Sequence, residues 1–137
     1  MANTNQIAGA RKCRLDECTL LVVDIQQRLG DAMPGKVLNR VLQNSSLLAR
    51  TACLLDVPIL HTEQYPQGLG PTHPLVLESL PGDRKHFTKT TFSCMNADGF
   101  PAAIGGLGRR QAVLVGMEAH VCILQTAMDL SATGAEV

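Results

Sequence analysis

The sequence predicts a three-layer α/β/α sandwich around a doubly wound parallel sheet, and three observations carry that prediction. Four short apolar runs, at 20–26, 58–64, 86–91 and 111–117, are separated by segments long enough to cross from one strand to the next. The run Leu20-Leu21-Val22-Val23 is continuous rather than alternating, as in a strand covered on both faces. Glycine and proline clusters stand where such strands would end, the longest being Tyr65-Pro66-Gln67-Gly68-Leu69-Gly70-Pro71. Strands alternating with helices form βαβ units, and right-handed crossovers then leave helices on both faces of a parallel sheet.

The first strand is expected at 20–26. A helix over about 37–55 follows, because Val37, Leu38, Val41, Leu42, Leu48, Ala49 and Ala52 recur at steps of three and four. Pro58 opens the second strand, 58–64, and the Tyr65–Pro71 cluster closes it. A loop with a helical turn at 75–80 leads to a third strand near 86–91. A short helix at 97–107, a fourth strand at 111–117 and a helix at 121–133 complete the pattern.

At 137 residues the chain is read as one domain over 15–137, preceded by a mobile leader at 1–14. The leader has no continuous apolar stretch, so it is neither a signal peptide nor a membrane span. Gly134 reads as a helix C-cap and Ala135-Glu136-Val137 as the start of another strand, so the domain is expected to be truncated at its C-terminus. Either its last strands and closing helix are missing from this chain, or a partner chain covers the open edge, where unpaired backbone groups would otherwise template association.

Lys+Arg and Asp+Glu each number 12, so the net charge is zero and neither nucleic acid nor an anionic membrane is an expected partner. An aromatic fraction of 3%, with no Trp, leaves no platform for stacking bases. Five cysteines at 13, 18, 53, 94 and 122 fit neither a disulfide framework nor a zinc module, which points to the reducing cytoplasm. Cys53 is expected in the core, Cys13 and Cys18 as incidental, and Cys94 as structural although close to a site.

That site is expected at the carboxyl edge of the sheet, where open α/β sheets bind ligands. Asp24 closes the first strand, Lys89 the third, and Cys122 stands where the fourth strand gives way to a helix. A thiol at a helix N-terminus is favoured as thiolate by the dipole and the free N–H groups. A carboxylate to accept its proton and an ammonium to hold both charges complete a nucleophilic set. Taken singly, Asp24 could cap a turn, Lys89 could be solvated and Cys122 could be a small buried hydrophobe.

Four stretches carry a family resemblance: Leu-Leu-Val-Val-Asp-Ile-Gln (20–26), Pro-Ile-Leu-His-Thr-Glu-Gln-Tyr-Pro-Gln-Gly-Leu-Gly (58–70), Lys-Thr-Thr-Phe-Ser (89–93) and Val-Gly-Met-Glu-Ala-His-Val-Cys-Ile-Leu-Gln-Thr-Ala (115–127). The chain resembles the isochorismatase-like cysteine hydrolases, and its second stretch looks like that of the eukaryotic isochorismatase-domain proteins and their bacterial relatives. The resemblance implies a catalytic triad of Asp24, Lys89 and Cys122, and an oxyanion hole from the backbone N–H groups of Glu118 and Cys122. It also implies a cis peptide at Met117-Glu118, a small-molecule substrate, no cofactor, and a homo-oligomer, dimer or higher.

By the resemblance, the chemistry expected is attack of Cys122 on an amide or related C–N bond through a thioester. Vinyl ether hydrolysis of the isochorismate type, or a non-catalytic interaction protein that keeps the fold, are the alternatives. Gln64, Tyr65, Phe92 and His120 are candidate pocket residues, with Gln64 and Tyr65 equally readable as turn residues and Phe92 and Phe87 as core. His120, adjacent in a turn, is a weaker base than Asp24 because neighbouring turn side chains point apart. No metal is expected: the nicotinamidase branch carries an Asp-x-His pattern after the second strand, the segment 63–73 lacks it, and His61 and His73 look isolated.

Overall fold

The computed structural model describes residues 11–137. Four parallel strands form one sheet: β1 (Cys18–Val23), β2 (Ile59–Gln64), β3 (Lys85–Lys89) and β4 (Gln111–Gly116), in the spatial order β3-β2-β1-β4. The chain therefore steps outward from β1 to β3 and then returns to the far side of β1. That reversal opens a crevice between the carboxyl ends of β1 and β4, which is where such sheets place ligands.

The helices are α1 (Gln27–Asp31), α2 (Gly35–Leu54), α3 (Pro66–Leu69), α4 (Pro74–Leu77), α5 (Phe100–Gly106) and α6 (Leu124–Ala132). Side-chain alternation along each strand divides the core in two. On one face Leu20, Val22 and Ile59 pack with Leu42 and Ala49 of α2 and Val76 of α4. On the other, Leu21, Val23 and Leu60 pack with Phe100 of α5, Leu130 of α6 and Cys122, which precedes α6. Phe87 meets Phe100 edge to face with ring centroids 5.3 Å apart, so Phe87 belongs to the core rather than to a pocket wall. The expected three layers are all present.

Several local expectations shift. β1 stops at Val23 because Asp24 turns left-handed, φ 52°, and its N–H still reaches Thr62 O at 3.1 Å. The α2 face that is buried runs through Leu42, Ser45, Ser46, Ala49 and Ala52, while Val37 and Leu48 are exposed. Ser46 reaches across to Leu75 O of α4 at 3.1 Å, a bond that periodicity of apolar residues does not reveal. Cys53 is exposed rather than core, and Cys18 is buried within β1 rather than incidental. Of the expected leader, residues 11–14 are tied to the domain: Arg11 pairs with Glu17 and Glu136, and Arg14 N–H donates to Gln111 Oε1 at 2.8 Å. The rest of that leader lies outside the described residues.

Beyond β4, Glu136 bridges in parallel to Gln111. Among the described residues no helix is long and apolar enough to cross a membrane.

Candidate active site

Backbone strain marks the carboxyl rim of the sheet. Among the described residues four non-glycine positions have positive φ, and three lie at strand ends: Asp24 and Tyr65 directly follow β1 and β2, and Glu118 is the second residue after β4. Each such residue costs of order 1–3 kcal/mol, so the surrounding packing must enforce it, and strain of this kind gathers at functional sites. Among the described residues the peptide bonds are all trans, Met117-Glu118 included, so the expected cis bond is absent. Glu118 reverses the chain through its dihedrals instead, φ 59° and ψ 65°.

Behind Glu118 the chain makes one π-helical turn, Ala119–Ile123, before α6 begins. Cys122 thus sits inside a wide turn rather than at the N-terminus of an α-helix, and π turns recur at functional positions. Gly116 permits the approach: a Cβ there would stand 2.4 Å from Val23 O and 2.7 Å from Ile123 Cδ1. A residue without a side chain is what lets β4, β1 and the Cys122 turn close on one another.

Asp24, Lys89 and Cys122 come together at the rim, all three buried. Lys89 Nζ donates to Asp24 Oδ2 at 2.6 Å and lies 3.5 Å from Cys122 Sγ. Its other contacts are Gln64 Oε1 at 2.6 Å and Thr91 O at 3.2 Å. The second oxygen of Asp24 accepts from Thr62 Oγ1 at 2.8 Å, and Thr62 also lies 3.7 Å from Cys94 Sγ. Burial and the Asp24 carboxylate push the Cys122 thiol up to about 12, with Lys89 opposing only in part. The thiolate expected from a helix dipole is therefore not the resting form: desolvation and a neighbouring anion outweigh the ammonium. Cys94, pushed up by burial and held through its N–H by Thr126 Oγ1 at 3.0 Å, is an inert packing thiol one residue removed from the charges.

Gln26 holds the rim in register. Fully buried, it donates to Gln64 O at 2.9 Å and Gly70 O at 2.7 Å, and accepts from Gln64 N–H at 2.8 Å. It thereby anchors the end of β2, and with it the Gln64 side chain that holds Lys89. Gln64 is thus held twice, its backbone N–H by Gln26 and its side-chain oxygen by Lys89. Tyr65 borders a cleft of about 280 Å³ with Lys89, Thr91 and Asn96. Phe92 and His120 are both exposed and do not line that cleft.

Sequence reasoning missed Thr62 and Gln26, whose partners are distant in the chain, and it missed a second cluster. His61 is not isolated: it stacks on His86 with centroids 4.7 Å apart, and Glu63 Oε2 lies 3.2 Å from His86 Nε2.

Comparison with known proteins places the chain among relatives. The family described as "Isochorismatase domain" matches residues 18–137. Isochorismatase domain-containing protein 1 of Salmo salar is 41% identical over 115 residues, 83% of this chain and 39% of that protein. Isochorismatase domain-containing protein 2 of Danio rerio is 35% identical over 133 residues, 96% of this chain and 64% of that protein. A MAR1 ribonuclease structure from Caenorhabditis elegans superposes with a TM-score of 0.81 at 34% identity, covering 91% of this chain and 62% of that one. The fold alone is shared with the YcaC gene product of Escherichia coli, an octameric hydrolase of unknown specificity, at TM-score 0.77 and 22% identity over 90% of this chain and 61% of that one. This chain spans from 39% to 64% of the length of these relatives. The match runs through every strand that carries the buried Asp, Lys and Cys, and the chain belongs to the isochorismatase family.

Proposed function

We propose that this chain is a cofactor-free cysteine hydrolase acting on a small-molecule amide or related C–N bond. The observation that carries the reading is one buried ammonium, Lys89 Nζ, in reach of both a carboxylate at 2.6 Å and a thiol sulfur at 3.5 Å. Because the thiol is held protonated, at about 12, Asp24 takes its proton as the sulfur attacks rather than beforehand. The new C–S bond turns the carbonyl into an oxyanion. Backbone N–H groups of Glu118 and Cys122 are the proposed donors, each worth roughly 3–4 kcal/mol if well aimed. Collapse expels the amine, which takes the proton from Asp24, and leaves a thioester. Water then attacks the thioester, Asp24 again receiving a proton, and the acid leaves as the thiol is restored. Lys89 stabilises the anionic partner at each stage, with Gln64 and Thr91 O fixing its ammonium.

A homo-oligomer is part of the same reading. Leu124 and Met128, one turn apart on α6, are exposed apolar side chains near the Cys122 turn that an oligomer would cover.

The test is a panel of small amides together with isochorismate, run on the wild type and on Cys122→Ala. Amide turnover that disappears in a folded Cys122→Ala, with an acyl mass adduct trapped on Cys122, is the expected result. Turnover retained in the soluble variant would falsify the nucleophile assignment, and isochorismate cleavage retained there would favour vinyl ether chemistry.

A further inference from the structure

The face of the sheet opposite the buried Cys–Lys–Asp set carries a second cluster of polar side chains. Alternation along β2 places His61 and Glu63 on the side of Ile59, toward α2 and α4, whereas Leu60 and Thr62 face the Cys122 side. On β3 the residue in register with His61 is His86. One nitrogen of each imidazole and one oxygen of Glu63 all lie within 4.8 Å of one another.

The hydrogen bonds around His61 decide its tautomer. Thr72 Oγ1 donates its single proton to Glu63 Oε1 at 2.7 Å, since a carboxylate only accepts. The 2.6 Å contact between Thr72 Oγ1 and His61 Nε2 must then be a donation from the ring N–H. His61 Nδ1 is left as a bare lone pair, and it is buried with no hydrogen-bond partner. A buried acceptor without a partner calls for an explanation, an ion being one. A metal-ligating histidine donates its other ring N–H to a fixed acceptor, as His61 Nε2–H does to Thr72 Oγ1.

We infer that His61, Glu63 and His86 form a binding site for a divalent ion of the zinc class, a two-histidine, one-carboxylate set with an open fourth position. The ligand types suit zinc or cobalt(II) rather than magnesium or calcium, which take oxygen donors. Glu63 Oε2 and His86 Nε2, 3.2 Å apart, already have the separation of about 3.3 Å that tetrahedral ligands at about 2.0–2.1 Å require. His86 is on the edge strand with its side chain 38% exposed, so it has room to close on His61 and leaves the ion open to water. Binding moves the His86 proton from Nε2 to Nδ1 through solvent, freeing Nε2 as a ligand. In the ion-free protein Glu63 Oε1 also accepts from Thr72 N–H at 2.7 Å.

The test uses chelator-stripped protein titrated with Zn2+ against a chelating dye, and with Co2+ by visible absorption. Expected is one equivalent per chain, with tetrahedral or five-coordinate Co2+ bands lacking sulfur-to-metal charge transfer. His86→Ala, and as a second variant His86→Gln, are expected to weaken binding by at least about 100-fold, since removing a ligand should exceed the 10–100-fold typical of losing an outer-shell partner. Cys122→Ser is expected to bind as the wild type does. No stoichiometric binding, equal binding by both His86 variants, or a thiolate charge-transfer band would each overturn the assignment. Affinity is the readout throughout, so the result is independent of whether the Cys122 site turns over.

Discussion

In the free protein, thiol–disulfide exchange at Cys122 is expected to be slow at pH 8 and to climb about tenfold per pH unit toward pH 12. The magnitude follows from where burial and Asp24 place the thiol, about 12 against an ordinary 9.0. At pH 8 an ordinary thiol is roughly one tenth thiolate and this one roughly one part in 10⁴, a difference of about 10³. A more basic thiolate is the better nucleophile, with a Brønsted slope of about 0.4–0.5, which returns roughly 15- to 30-fold. The net expectation is exchange roughly 30- to 60-fold slower than for an ordinary exposed thiol, before any steric shielding. Peptide-level mass spectrometry after a timed pulse with a small neutral disulfide resolves Cys122 from exposed Cys53 in one sample. Asp24→Asn removes the anion that holds the proton on sulfur while leaving Lys89 nearby, so exchange should accelerate even as hydrolysis is lost. Opposite movement of the two rates is the signature of Asp24 as a base acting during attack. A plateau of Cys122 exchange at or below pH 8, or slower exchange in Asp24→Asn, would refute the reasoning, because either means the thiolate is already formed and Asp24 sustains it.

Other substitutions test the supports of the site. Lys89→Met leaves the Asp24 carboxylate buried without its cation and should cost about 3–5 kcal/mol in urea unfolding, whereas adding Asp24→Leu should recover part of that loss. A Lys89→Met loss under 1 kcal/mol would mean that water already screens the pair. Gly116→Ala forces a methyl against Val23 O and Ile123, and is expected to destabilise by about 1–3 kcal/mol and to lower turnover by displacing the Cys122 turn. Gln26→Ala deletes three hydrogen bonds at the end of β2 and should lower stability by about 2–4 kcal/mol. If Gln26→Ala unfolds like the wild type in urea, the rim is held by the Tyr65–Pro71 backbone alone.

Much of the fold was readable locally. The four strands lie within three residues of the runs that announced them, and α2 occupies Gly35–Leu54 where the periodicity placed a helix at 37–55. Such elements are legible because a continuous apolar stretch must be covered on both sides, and because Pro58 and the Tyr65–Pro71 cluster end strands by backbone sterics alone. The identities of Asp24, Lys89 and Cys122 were legible for the same reason, since strand ends define the rim. The face that α2 buries was read less well, because Ser45 and Ser46 are as buried as Leu42 and hydropathy counts them as polar.

What stayed hidden depends on which strand lies beside which. That His86 stands opposite His61, that Thr62 reaches Asp24, and that Gln26 spans to Gln64 and Gly70 follow from interstrand register and loop closure, which join residues that are distant along the chain. The protonation of Cys122 was hidden likewise: position along the chain suggested a helix dipole, but desolvation and an anion brought from β1 outweigh it. One-dimensional order can assign the strands and name the residues at their ends, because sterics and burial act over a few neighbours. Charge state and partnership are set by fields and contacts between segments, and these exist only once the sheet has closed.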